Sequence, residues 1–248
     1  MVHIVGAGAG DPELITVRGQ RLLREADVVI YAGSLVNPAL LKNCRSTAEI
    51  FDSAKLTLNE VLSIIERAES EGKITVRLHT GDPALYGAIQ EQMDALTEKS
   101  IPYDVTPGVS SFLAAAASLK QEYTLPGVTQ TVIITRAAGR TAVPESEEIK
   151  KLAAHRATMC IFLSIGLIET TVNDLLAGGY EEDTPVAVVE KASWPEEKIL
   201  RGTLKTIAHQ VAEAKITHTA MIIVGDCLSS PYELSRLYDP SFSHTFRK

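Results

Sequence analysis

The sequence predicts an α/β protein built of two different α/β domains, and three observations carry that reading. Short β-rich runs alternate with stretches of helical periodicity from one end to the other. The alternation is broken once, at residues 121–127, where Pro126-Gly127 punctuates the chain. The halves so separated share no sequence repeat or low-complexity tract. With 248 residues, 45% hydrophobic and 22% charged, the chain can bury roughly 70–75% of its unfolded surface. Residues 1–120 are the expected first domain, 121–127 a linker and 128–248 the second domain.

In the first domain, strands are expected at 3–5, 28–31, 49–51, 74–78 and 103–105. Helices are expected at 17–24, at 58–69 (Val61, Leu62, Ile65 and Ala68 on one face), at 84–97 (Ala88, Ile89, Met93, Leu96) and at the alanine-rich 110–119. Such alternation implies a largely parallel sheet covered by helices. In the second domain, strands at 131–135, 159–163, 186–190, 199–200 and 220–224 are separated by helices around 147–154, 167–177 and 204–214. A ligand is expected between the two domains, a favoured position for binding clefts.

Composition removes several function classes. The formal charge of −7 argues against a broad surface for nucleic acid or anionic membrane. Cys44, Cys160 and Cys227 lie far apart without a C-x-x-C, and the six histidines form no H-x-x-x-H, so no protein-bound metal or disulfide framework is expected. The chain enters a strand-like run at once, without a secretion signal. Its most apolar stretch, 112–119, is far short of the roughly 20 residues that span a bilayer. A soluble, cytoplasmic protein is expected.

Three glycine-bearing segments follow predicted strands. The first, Val5-Gly6-Ala7-Gly8-Ala9-Gly10-Asp11-Pro12, permits a tight turn and close approach of a ligand. A dinucleotide fingerprint needs a glycine where this chain has Asp11, followed here by Pro12. The common Rossmann-type methyltransferases place acidic residues where this chain has Ile4 and Tyr31-Ala32, so neither family is favoured. The second, His79-Thr80-Gly81-Asp82-Pro83-Ala84-Leu85-Tyr86-Gly87, looks like a strand end feeding a helix, with Asp82 as N-cap and Pro83 at the first helical position. The third, Thr106-Pro107-Gly108-Val109-Ser110-Ser111, again leads into a helix that a serine can cap. Glycines at the carboxyl ends of strands in one sheet mark the place where open α/β sheets bind ligands. In the second half, Arg136 and Arg140 stand in a stretch, 123–144, without an acidic residue, and arginine suits bidentate carboxylate binding. Glu190-Lys191-Ala192-Ser193-Trp194 ends a strand with a charged pair and the only tryptophan, a combination equally compatible with a rim salt bridge.

Taken in order, the segment from Val5 to Thr16, Gly81-Asp82-Pro83 and Pro107-Gly108-Val109-Ser110-Ser111 resemble the signature of the tetrapyrrole (corrin and porphyrin) methylases, over nearly the whole chain. Tyr31-Ala32-Gly33-Ser34-Leu35-Val36-Asn37 and Thr135-Arg136-Ala137-Ala138-Gly139-Arg140-Thr141 are most similar to the members that methylate C-11 of precorrin-4 or cobalt-precorrin-4 on the cobalamin pathway.

The resemblance implies a homodimer whose subunits bind S-adenosylmethionine as methyl donor in the cleft between two α/β domains. It also implies that Gly81, Asp82, Leu85, Ser110 and Ser111 line the donor, with Leu163 and Ala192 contributing from the second domain. At Ala9, within the donor turn, many relatives carry proline; alanine keeps the turn and loses the ring's packing. The uroporphyrinogen-III methylases have an aspartate where this chain has Ala32, which disfavours that substrate. Positioning of an electron-rich ring carbon against an activated methyl can supply about 7–11 kcal/mol of catalysis. If a base is needed, the candidates are His79, Tyr86 and Glu190. Arg136 and Arg140 are expected to hold the substrate's peripheral carboxylates, with Tyr31 and Ser34 on the trough wall. Two rivals remain at this stage: a methylase of the same fold acting at another precorrin carbon or on diphthine, and a non-catalytic nucleoside-binding protein.

Overall fold

A computed structural model describes residues 1–229, 231–235, 237, 239, 241–243 and 245. The chain divides into two compact units, Met1–Ala115 with Lys191–Glu197, and Ala116–Glu190 with Lys198–Lys248.

In the first unit, β1 (Val2–Gly6), α1 (Val17–Glu25), β2 (Val28–Tyr31), β3 (Glu49–Asp52), α2 (Leu58–Ser70), β4 (Thr75–His79), α3 (Gln90–Glu98) and β5 (Tyr103–Thr106) lead into α4 (Ser111–Leu119). The strands form one sheet in the order β3-β2-β4-β1-β5, every neighbouring pair parallel. Strand alternation divides the apolar residues between two faces. Val5, Val29, Val76 and Leu78 pack with Leu22 and Leu23 of α1, whereas Val2, Val28 and Ile30 pack with Val61 and Ile65 of α2 and Leu96 of α3. Helix α2 starts where Thr57 and Glu60 exchange capping hydrogen bonds, so the local sequence fixes its entry. The path from β1 runs through α1 to β2, on one side of it; the path from β4 runs through α3 to β5, on the other. The adjacent strands β1 and β4 thus form the switch point of the sheet, and ligands of open α/β sheets bind outside the carboxyl ends at such points.

In the second unit, β6 (Val132–Arg136), α5 (Ile149–Leu152), β7 (Thr158–Phe162), α6 (Ile168–Ala177), β8 (Pro185–Glu190), β9 (Lys198–Thr203), α7 (Ile207–Glu213) and β10 (Ala220–Val224) build a sheet in the order β6-β7-β10-β8-β9. Only β6 and β7 run parallel; the other pairs are antiparallel. β8 and β9 are joined without a crossover helix, and a direct return dictates antiparallel pairing. Met159, Ile161, Val186, Val188, Ile222 and Val224 form the core with Leu175 of α6 and Ile207 and Val211 of α7. Among the described residues, no helix is long and apolar enough to cross a membrane.

Three expectations change. The helix expected over 84–97 begins only at Gln90, because Tyr86 and Ala88 take left-handed φ values of 55° and 48°, which no helix accommodates. The helix expected over 147–154 is a four-residue α5 between two 3-10 turns, Glu145–Glu147 and Ala153–His155. The division between compact units falls at Ala115 and Ala116, inside α4, and residues 121–127 pack as part of the second unit. There Tyr123 and Leu125 are buried, and the Tyr123 carbonyl accepts from Thr158 Oγ1 at 2.9 Å.

Leu175 is fully buried in the second core. Leu175→Ala is expected to cost about 2–5 kcal/mol, measured as a lowered urea midpoint.

Candidate functional site

Three strand ends of the first unit meet backbone to backbone. A Cβ on Gly6, the last residue of β1, would stand 2.6 Å from Gly108 N and 2.7 Å from Gly81 O; one on Gly108 would stand 2.2 Å from Gly81 O. These neighbours are main-chain atoms, so any side chain would force the strand ends apart. Gly8 N donates to Gly81 O at 3.2 Å and Gly81 N to Gly8 O at 2.9 Å, tying the loop after β1 to the loop after β4. Gly81 has φ +59, a conformation that favours glycine. Asp82 completes the junction: Oδ1 accepts from Ala84 N at 2.8 Å and Oδ2 from Gly108 N at 2.9 Å. Asp82 therefore caps the turn Pro83–Tyr86 and holds the loop after β5, whereas the sequence suggested a helix cap. Leu85 sits half-buried in that turn, Ser110 is buried, and Ser111 opens α4.

The segment Lys191–Glu197, which follows β8 in sequence, belongs to the first unit. Trp194 Nε1 donates to Ala9 O at 3.1 Å, and Ser193 Oγ accepts from Asp11 N at 3.0 Å. A Cβ on Gly10 would meet Trp194 Cδ1 at 2.1 Å, so the glycine there makes room for the indole. Ala192 is buried in this segment and thus stands with the first unit, not with the second as expected. Its membership was missed because a contact about 180 residues away leaves no local mark; the lone tryptophan beside a serine was the only signal.

Arg77 and His79 point to the same face of β4, two residues apart. Arg77 is 7% exposed and donates to Gln92 Oε1 at 3.0 Å and to Ile30 O at 3.2 Å. Burial pulls its pKa down to about 10, which leaves it a cation at neutral pH. His79 is 4% exposed; burial, reinforced by the Arg77 charge, pushes its pKa down to about 3. Among the described residues, its Nε2 has no hydrogen-bond partner. Both side chains line a recess of ≈ 240 Å³ shared with Ala32, Tyr86, Glu91 and Gln92. A neutral imidazole this hard to protonate is a poor general base at neutral pH, so His79 loses its place among the candidate bases. Tyr86 is 44% exposed at the same recess. Glu190, at the end of β8 in the second unit, lies 3.6 Å from Lys198 Nζ.

The proposed substrate residues fare unequally. Tyr31 ends β2 half-buried against the α1-side core, and Ser34 is exposed. Arg136 donates to the carbonyls of Ala137, Thr141 and Ala142, at 3.2, 3.1 and 2.6 Å. It clamps its own loop, a role the sequence reading did not give it. Arg140 is exposed on that loop. Leu163, just past β7, is 68% exposed with φ +55. Among the described residues, no group of three His, Cys, Asp or Glu side chains could hold a metal ion.

The first unit's strand-end loops suit a nucleoside-type methyl donor in their chemistry. A Cβ on Gly81 would meet Ser110 Cα at 3.5 Å and Ser111 N at 3.7 Å, ordinary van der Waals contacts, so a side chain there would occupy the space beside the start of α4 without a clash. The Asp82 carboxylate is already engaged by two backbone N–H groups, so its part toward a donor is chiefly to set the loops.

A family model described as Tetrapyrrole (Corrin/Porphyrin) Methylases matches residues 1–208. The cobalt-precorrin-4 C(11)-methyltransferase of Methanocaldococcus jannaschii is 55% identical over 248 residues, covering 100% of this chain and 96% of that protein. The X-ray structure of a cobalamin biosynthetic enzyme, cobalt precorrin-4 methyltransferase, superposes with a TM-score of 0.90 at 46% identity, over 92% of this chain and 96% of that one. Uroporphyrin-III C-methyltransferase from Thermus thermophilus, solved in complex with S-adenosyl homocysteine, gives 0.76 at 28% identity over 92% and 93% of the two chains.

Gly108→Ala is expected to destabilise the protein by about 1–3 kcal/mol through overpacking at the strand ends, read by thermal unfolding. His79 is neutral in the fold with a pKa near 3, against 6.5 for an ordinary histidine, so between those values the unfolded chain binds the extra proton. Stability should therefore fall as pH drops through that window, by up to about 1.4 kcal/mol per pH unit from this group. Denaturant titrations at pH 7, 6 and 5 measure the slope, and His79→Gln should flatten it.

Proposed function

Because the chain belongs to the tetrapyrrole (corrin/porphyrin) methylases, we propose that it transfers the methyl group of S-adenosylmethionine to C-11 of precorrin-4 or cobalt-precorrin-4 in cobalamin biosynthesis. The observation that carries the assignment is the 55% identity maintained over all 248 residues with a relative named for that reaction. When bound, S-adenosylmethionine supplies a methyl activated by its sulfonium, so no resident metal is invoked.

The chain's own part is chiefly positioning. The Gly6, Gly81 and Gly108 junction holds three loop backbones in one place, and Asp82 fixes two of them to each other. We assign Gly81, Leu85, Ser110 and Ser111 to the donor's surroundings, with Asp82 and Ala9 shaping the loops, and we assign Ala192 there too because Lys191–Glu197 belongs to the same unit. Holding reactants near attack geometry supplies about 7–11 kcal/mol, so a strong base is not the main requirement. His79 remains neutral at the working pH and is not assigned as a base. Arg140, which has no part in the Arg136 clamp, is the better choice for a substrate carboxylate, and Tyr31 and Ser34 stay assigned to the substrate. The homodimer and the cytoplasmic location implied by the family belong to this proposal.

Incubation with methyl-13C S-adenosylmethionine and cobalt-precorrin-4 or precorrin-4 should place the label at C-11 by NMR; a label at another ring carbon overturns the substrate assignment. Arg136→Ala should lower stability by about 1–3 kcal/mol as its loop loses the clamp. Arg140→Ala should leave stability within about 0.5 kcal/mol and raise the tetrapyrrole KM several-fold without changing the donor KM.

A further inference from the structure

The recess at the carboxyl end of β4 contains a cation, Arg77, that forms no ion pair among the described residues. Arg77 is 7% exposed and its hydrogen bonds go to neutral acceptors, the Gln92 amide and the Ile30 carbonyl. Burial alone shifts its acidity, with no carboxylate contributing. A buried, uncompensated guanidinium is costly unless something completes its environment. Two residues along the same face of the strand, His79 Nε2 is buried and has no hydrogen-bond partner among the described residues, and both residues line the same ≈ 240 Å³ space. An unsatisfied buried nitrogen and an unpaired buried charge in one recess have a common remedy: an anionic group that accepts from the imidazole and neutralises the guanidinium. The imidazole is neutral, so one tautomer presents Nε2–H as a donor without adding charge. Glu91 lines the recess from an exposed position, where water screens it, and so does not replace the missing partner.

We propose that this recess receives one peripheral carboxylate arm of the tetrapyrrole, with Arg77 as its counter-charge and His79 Nε2 as its hydrogen-bond donor. The proposal rests on the methylase reading above and extends it, because it names a substrate-positioning pair within β4 that sets which face and which edge of the ring system is presented. Ala32 and Tyr86 form the walls of the same space, and the side chain of Gln92 fixes the guanidinium from α3. Ala32 adds no second carboxylate to the wall that Glu91 lines from its exposed position.

The test is equilibrium titration of cobalt-precorrin-4, followed by its absorbance, into the full chain saturated with S-adenosylhomocysteine. Wild type, His79→Leu, His79→Gln and Arg77→Met are compared. The Kd for the tetrapyrrole should rise about tenfold or more in His79→Leu and Arg77→Met, and His79→Gln, which keeps a neutral donor, should recover most of the loss. Calorimetric affinity for S-adenosylhomocysteine should be unchanged in every variant, which also certifies the fold. An unchanged tetrapyrrole Kd in His79→Leu, or equal losses for both ligands, overturns the proposal and leaves the recess structural. If Arg77→Met does not fold, the two His79 variants decide. Methylation by the wild type at a carbon other than C-11 defeats the preceding reading, while the Kd ratios still decide the recess; no tetrapyrrole binding by the wild type defeats both.

Discussion

Three strands of one parallel sheet end so close together that their main chains touch at Gly6, Gly81 and Gly108, and the first unit is organised around that contact. Any Cβ at Gly6 or Gly108 would lie under 3 Å from a neighbouring backbone atom. The closeness lets Gly8 and Gly81 exchange hydrogen bonds and brings Gly108 N within reach of Asp82. Because β1 and β4 send their chains to opposite sides, the junction lies at the switch point of the sheet, where helices leave the strand ends uncovered. The indole of Trp194 packs against Gly10 in the same region, so a segment from far along the chain is recruited to hold the first loop.

Around that junction, charged groups are assigned to distinct tasks. Asp82 and Arg136 direct their side-chain polar atoms to backbone groups, shaping loops. Arg77 instead keeps its charge in a protected place with neutral neighbours, next to an imidazole that burial and that same charge keep unprotonated. A methyl donor that carries its own activation places little demand on acid–base catalysis, so a neutral histidine and a buried arginine are better suited to binding than to proton transfer. The acidic composition is compatible with a polycarboxylate ligand for the same reason: local placement of a few cations outweighs the total of −7.

Much of this was legible in the residues. Helix α2 was marked by the apolar spacing of Val61, Leu62, Ile65 and Ala68, and β10 by its apolar run, whereas the Thr57/Glu60 cap emerged only in the fold. The glycine clusters marked the three strand-end loops whose backbones meet at Gly6, Gly81 and Gly108. Other features had no local signature. Nothing in Tyr86 or Ala88 announces a left-handed backbone, so the helix over 84–97 was drawn too long. An arginine in an acid-free stretch is equally suited to carbonyls and to carboxylates, and only the fold decides that Arg136 takes the former. The recess pairing of Arg77 with His79 was half visible, since the histidine was singled out by its turn, but its neutrality follows from burial that the sequence does not display.

The central claim is that the glycine junction of β1, β4 and β5 is the floor of the methyl-donor site. A crystal structure of the protein with S-adenosylhomocysteine tests it directly. The account predicts the nucleoside within hydrogen-bond or van der Waals reach of Gly81, Leu85, Ser110 and Ser111, with the Asp82 links to Ala84 and Gly108 intact. Bound ligand lying away from all three strand-end loops would contradict it.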